Sequence, residues 1–271
     1  MRKFSKSGKF GIFILLINII FAMFSIFLDP KLYKVPCCEP LLAPSLLHLL
    51  GSDDLGMDIF FQIIHGSLIS LTIGFFSAFL SGIGGSILGV LAGYKGRTYD
   101  KIIGALCDII TTLPQLPLII VLSVFLGPST KTIILVVSLL SWVGPAKMIR
   151  AKVKMLKNES YIVAAESYGA NFFYLVFNHF IFQILPMVLV STFRIASHAI
   201  ISEASLSFLG LGDPTSKSWG IILNHAMSFQ GIYFTEYWKW WILSPLVMLI
   251  LLILALSFIS RDIEKIMNKK L

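Results

Sequence analysis

Long apolar stretches separated by short polar ones dominate this chain, and their lengths answer the first question about it. Six stand out: Phe10 to Leu28, Leu68 to Ala92, Ile102 to Leu126, Thr132 to Met148, Phe180 to Ile201, and Trp240 to Ile259. A hydrocarbon layer about 30 Å thick takes roughly 20 apolar residues per helical span, and these stretches match that length within a few residues. Strands of a membrane barrel would instead be about 10 residues long, with apolar and polar positions alternating. No such alternation appears. The pattern predicts an all-α integral membrane protein with six transmembrane helices.

Composition strengthens this reading. Hydrophobic residues make up 56% of the 271 and charged residues only 13%, with a mean hydropathy of +0.86. A soluble domain needs more polar surface than that. The formal net charge of +8 is unevenly placed. Sixteen Lys and Arg fall between Arg2 and Lys9, Lys95 and Lys101, Lys147 and Lys157, and Arg261 and Lys270. Five, Lys31, Lys34, Lys131, Lys217 and Lys239, fall at the opposite ends of the spans. Basic residues concentrate on the cytoplasmic side, so both termini are expected there. The charge is a topology signal, and no nucleic-acid partner is expected. Basic residues before the first span resemble a signal peptide, but its apolar run is long for one and no small-residue cleavage site follows before Asp29-Pro30. It is expected to be retained.

Residues 1–66 then form an N-terminal transmembrane helix with an external segment, and 67–271 a five-helix core with a cytoplasmic loop at about 150–180. The outer segments, Asp29 to Ser67 and Ser202 to Lys239, contain Pro, Gly and aromatic residues and should fold as short helices and turns against the membrane surface. Cys37 and Cys38 are neighbours whose Cα atoms lie about 3.8 Å apart, closer than disulfides prefer. They read as incidental thiols, and Cys107 as a small packing residue. In the cytoplasmic loop, Glu159 to Tyr168 fits a short helix, with Asn158 as its cap and Gly169 ending it in a left-handed conformation. Ala164 and Ala165 allow close approach of another surface, and Tyr161 and Tyr168 suit a partner interface.

Catalytic signatures are missing. There is no G-x-x-x-x-G-K-[ST] phosphate loop, no H-E-x-x-H and no G-x-S-x-G. His48, His65, His179, His198 and His225 are scattered over separate segments. No catalytic, metal or cofactor residue is assigned, and the chain does not read as an enzyme. A transporter coupled to an ion gradient would place ionisable groups near the membrane midplane. Asp108, Arg194 and Glu203 are the candidates for a pathway or gate. Arg194 either neutralises an acidic group on a packed helix, snorkels, or lines the pathway. Asp108 suits structural capping or pairing, and Glu203 helix packing or gating. Pro114 and Pro117 should kink the third span. Gly82, Gly84, Gly85, Gly89 and Gly93 give the second span small faces for close packing.

These residues resemble the permease subunits of peptide and nickel importers of the ATP-binding cassette class. The loop those permeases present to their ATPase is similar to the paired Ala164 and Ala165, Gly169 four residues after the second alanine, and Leu185-Pro186. His48 to Asp58 resembles the family's outer segment, with Met57 where an arginine is usual. Asp100, Asp108 and Pro114 recur at its spacing. Glu203 to Gly212 followed by Trp219-Gly220 is the most specific match, and Arg261-Asp262 matches the cytoplasmic end. Val163 stands where the family has a glutamate and Glu166 where an arginine is common. The resemblance covers roughly residues 45 to 264 and implies a type I ABC-importer permease fold in a bacterial or archaeal plasma membrane. It further implies pairing with a second permease, as a heterodimer, two cytoplasmic ATPases and an external solute-binding protein. The coupling residues would be Glu159, Tyr161, Ala164, Ala165, Glu166, Gly169 and Pro186. ATP would be hydrolysed by the partner, with no cofactor held here. The ion-gradient transporter is the alternative.

Overall fold

A computed structural model describes residues 4–268. Four of the basic residues in the charge count, Arg2, Lys3, Lys269 and Lys270, lie outside that range. The regular structure of the described chain is all helical, apart from one isolated bridge between Ser52 and Asp58. Helix α1, Lys6–Phe27, starts where the Ser5 hydroxyl accepts the Gly8 N–H. After the single turn α2, Lys31–Lys34, an irregular stretch leads to the 37-residue helix α3, Ile59–Lys95, capped by Asp58. At about 1.5 Å per residue α3 is roughly 55 Å long, more than the hydrocarbon layer needs.

The third expected span is not one helix. It consists of α4, Arg97–Thr112, and α5, Gln115–Leu126, which meet at 90°. The expected kink is real, but only Pro114 sits at the break. Pro117 lies in the first turn of α5, where its missing N–H would have had no helical partner anyway. Helices α6, Thr130–Ser141, and α7, Val143–Lys157, continue one another across Trp142 as a single span. The basic stretch Arg150 to Lys157 is thus the end of a helix rather than the start of a loop. Then come α8, Ser160–Ser167, and α9, Phe172–Leu175, which runs through a π turn, Val176–Phe180, into α10, Ile181–Phe208. Helices α11, Trp219–Ser228, and α12, Trp238–Trp241, lead to α13, Leu243–Asn268.

By length and apolar composition five helical segments can cross a membrane, and six when the bent pair α4–α5 is counted as one span. Helix α3 is the hub, packing along α1, α6, α7 and α10. Lipid tails are as apolar as leucine, so burial of apolar surface drives helix association weakly in a bilayer and close packing carries more. Small residues supply it here. A Cβ on Gly89 would meet Ala146 O at 2.7 Å, and one on Gly93 would meet Val153 Cβ at 2.8 Å. Gly85 likewise faces Trp142 O, so the three glycines, four residues apart, form the seam between α3 and α7. Gly84 departs from the expected small face, because nothing lies within 4 Å of it. Phe13, Phe75 and Phe125 are exposed on the outside of the bundle, as a surface immersed in lipid requires.

The described ends of the chain meet. Ser5 N–H and its hydroxyl both donate to Asp262 on α13, at 2.8 and 2.6 Å to Oδ2. They share a face with α8, because α1 runs antiparallel to α3 and the Lys157 ammonium donates to Tyr94 O at the end of α3. On the opposite face, the segments before α3 and after α10 pack together, and Trp219 Nε1–H donates to Ile63 O at 3.0 Å.

Candidate functional site

Two places bring the expected residues together. The first is α8. Asn158 closes α7 rather than capping the next helix, and Glu159 occupies the N-cap position of α8 with no side-chain hydrogen bond. The C-terminus is built as expected. Gly169 has φ +88°, its N–H donates to Glu166 O, and Ala170 N–H donates to Ala165 O, both at 3.0 Å. This pair of bonds is the Schellman arrangement, which favours glycine at the left-handed position. Asn171 Oδ1 then accepts Tyr174 N–H at 2.8 Å and starts the return to the membrane.

Ile162 anchors α8. It is fully buried among Val153, Leu156, Leu175 and Phe180, and sequence reasoning passed over it because a lone apolar residue in a short helix carries no period. The paired alanines divide. Ala165 packs toward that same cluster, whereas Ala164 faces outward, so only one of them offers a surface for close approach. Glu159, Tyr161, Val163 and Tyr168 are exposed, Tyr168 by 93%. Glu166 is half-buried. Tyr161 Oη accepts from Gln183 Nε2 at 2.7 Å, which links α8 to α10 one turn before Pro186. Helix α8 is therefore held from behind, and an aromatic, small-residue front is left open.

The second place is a cleft of about 340 Å³ where the α4–α5 break faces α7 and α10. Thr111, Gln115, Ser141, Lys147, Arg194 and His198 supply its polar lining. Asp108 joins it through Lys147, whose ammonium donates to Asp108 Oδ1 at 3.0 Å and to Thr111 Oγ1 at 3.4 Å. Arg194 donates to Glu264 Oε2 on α13 at 2.7 Å. Arg194 thus has an acidic partner on another helix and also borders the cleft. Lys147 and Glu264 were not singled out from sequence. In sequence Lys147 is one basic residue among many at the end of a span, and Glu264 pairs with a residue 70 positions away.

Glu203 lies elsewhere. It is 2% exposed, its Oε1 accepts from Ser207 Oγ at 2.7 Å, and Oε2 has no partner. The stretch from Glu203 to Gly212 packs on α11, where a Cβ on Gly220 would meet Ala204 O at 2.6 Å. The signature is therefore a close helix contact, with one buried carboxyl inside it.

Residues 85–271 match the family described as binding-protein-dependent transport system inner membrane component. This chain belongs to that family. It is a multi-pass bacterial plasma-membrane permease of the ABC-importer type, whose ATPase is a separate subunit. The ion-gradient alternative is thereby set aside. An ATPase, a substrate-binding protein and a further permease are the partners that membership implies. The permease is similar to the dipeptide transport system permease protein DppC of Bacillus subtilis, 31% identical over 99% of this chain and 83% of that protein. The oligopeptide permease OppC of the same organism is 32% identical over 84% of this chain and 73% of that protein. The glutathione permease GsiD of Pectobacterium atrosepticum is 37% identical over 68% and 62%. Among solved structures, a chain from inward-facing MetNI methionine ABC transporter superposes with a TM-score of 0.55 over 76% of this chain and 97% of that one. At 16% identity this likeness speaks for the fold alone.

Proposed function

We propose that this permease is one half of a heterodimeric peptide importer driven by two cytoplasmic ATPases, and that α8 is the element they push. The observation that carries the assignment is the geometry of α8: buried through Ile162, reversed by Gly169, and open along Ala164, Tyr161 and Tyr168. A helix held this way transmits force, because a push on its front reaches α7 through Ile162 and α10 through the Tyr161–Gln183 bond. The cleft at the α4–α5 break is the wall of the solute pathway. Its hydroxyl, amide and charged groups suit a zwitterionic solute, and relatives named for dipeptides, oligopeptides and glutathione support peptides over nickel.

The test replaces the open front. Tyr168→Ala removes an exposed aromatic of the kind that carries about 2 kcal/mol or more at an interface, which is roughly a thirtyfold loss of ATPase affinity. Ala164→Arg blocks close approach. Both variants should be made and inserted in normal amounts, since neither residue is buried, yet fail to co-purify with the ATPase or support peptide uptake. Unchanged co-purification of both would rule out α8 as the coupling element.

A further inference from the structure

The fold gathers Cys37, Cys38 and His48 into one spot on the face opposite α8, although their spacing in sequence reads as incidental. One ligating atom from each lies within 4.8 Å of the others. Two thiolates each about 2.3 Å from a tetrahedral zinc-type ion lie about 3.8 Å apart, and the Cys37 and Cys38 sulfurs are 3.9 Å apart. That is the edge such an ion requires.

The rest of the spot is held for the purpose. Cys37 N–H and Cys38 N–H both donate to Gly56 O, at 2.9 and 3.3 Å, so the dipeptide is pinned to the turn that precedes α3. Gly56 has φ +75°, and a Cβ there would strike Cys38 O, so the pinning depends on glycine. His48 is oriented by the other end of the same turn. Its Nδ1 bonds Asp58 Oδ2 at 2.8 Å, and Asp58 is 2% exposed. A carboxylate on Nδ1 fixes the tautomer that leaves Nε2 free as a ligand, the usual support of a metal-binding imidazole. Cys37 is exposed and gives an ion a way in. The neighbouring trio Asp53, Asp54 and His225 lacks these properties. Asp53 already accepts from Leu55, Met57 and Gln62, and the Lys217 ammonium lies alongside.

We propose that Cys37, Cys38 and His48 bind a thiophilic, zinc-type cation, with a fourth position left to water. Mixed sulfur and nitrogen ligands select zinc-like ions over calcium or magnesium. The bound ion would staple the residue 37–58 loop to the start of α3.

The full chain, purified in detergent and fully reduced, is titrated with Co(II) as a spectroscopic stand-in and then with Zn(II). One equivalent of Co(II) should give thiolate-to-cobalt charge-transfer absorption, which Zn(II) bleaches. Cys37→Ser with Cys38→Ser should abolish the band, His48→Ala should weaken binding at least about tenfold, and Cys107→Ser should change nothing. All variants are compared at matched elution profiles. No band in the reduced wild-type chain overturns the proposal. So does a band that survives the double serine variant or depends on Cys107.

Discussion

Met57 joins two segments of the face opposite α8. Its thioether is buried and accepts a hydrogen bond from the Lys217 ammonium at 3.4 Å. Burial pushes the Lys217 pKa below the ordinary lysine value, while Asp53 and Asp54 pull it back up. A positive charge thus reaches the turn at residues 53–58 from the segment after α10. A second cation at position 57 would sit beside Lys217, and like charges about 4 Å apart at an effective dielectric of about 20 repel by about 4 kcal/mol. Met57→Arg should therefore lower the thermal unfolding midpoint of the detergent-purified chain. Adding Lys217→Met should restore most of the loss. Two losses that simply add would show that the charges do not communicate.

At the scale of elements, the seam between α3 and α7 sets how the hub is assembled. Gly89→Leu should drive side-chain atoms into Ala146 and Ile149 and cost about 1–3 kcal/mol of overpacking. Gly84→Ala meets nothing, and should stabilise α3 by up to about 1 kcal/mol through helix propensity. Thermal midpoints of the two variants should therefore move in opposite directions. A fall of equal size in both would mean that the seam runs along another face. The glycine content of α3 was plain in the sequence, whereas the face on which each one sits depends on where α7 lies against it.

Across the whole molecule, the decisive property is sidedness. Ser5 and Asp262 bring the described ends of the chain together on the face that carries α8. From the excess of Lys and Arg on that face we infer, under the positive-inside rule, that it is the cytoplasmic one. Reporter fusions after residues 97 and 157 should read as cytoplasmic, and fusions after 34 and 217 as external. An external signal after residue 157 would remove α8 from the reach of any ATPase and end the coupling proposal.

The sequence by itself determined the solvent, the all-helical class and the family, because hydropathy and the Glu203 to Gly212 signature belong to contiguous residues. It also placed the left-handed Gly169, since a helix end is specified within a few positions. The tertiary structure decided what depends on distant neighbours. Ala165 turned inward because Ile162 docks into a pocket built by α7, α9 and the π turn. Arg194 found Glu264, and Asp108 found Lys147, across helices that meet only in the folded bundle. The third span broke at 90°, although a proline alone specifies only a kink. Cys37, Cys38 and His48 met because the turn at Gly56 fixes both sides of their loop. Contacts of this kind join residues through space, and no pattern along the chain records them.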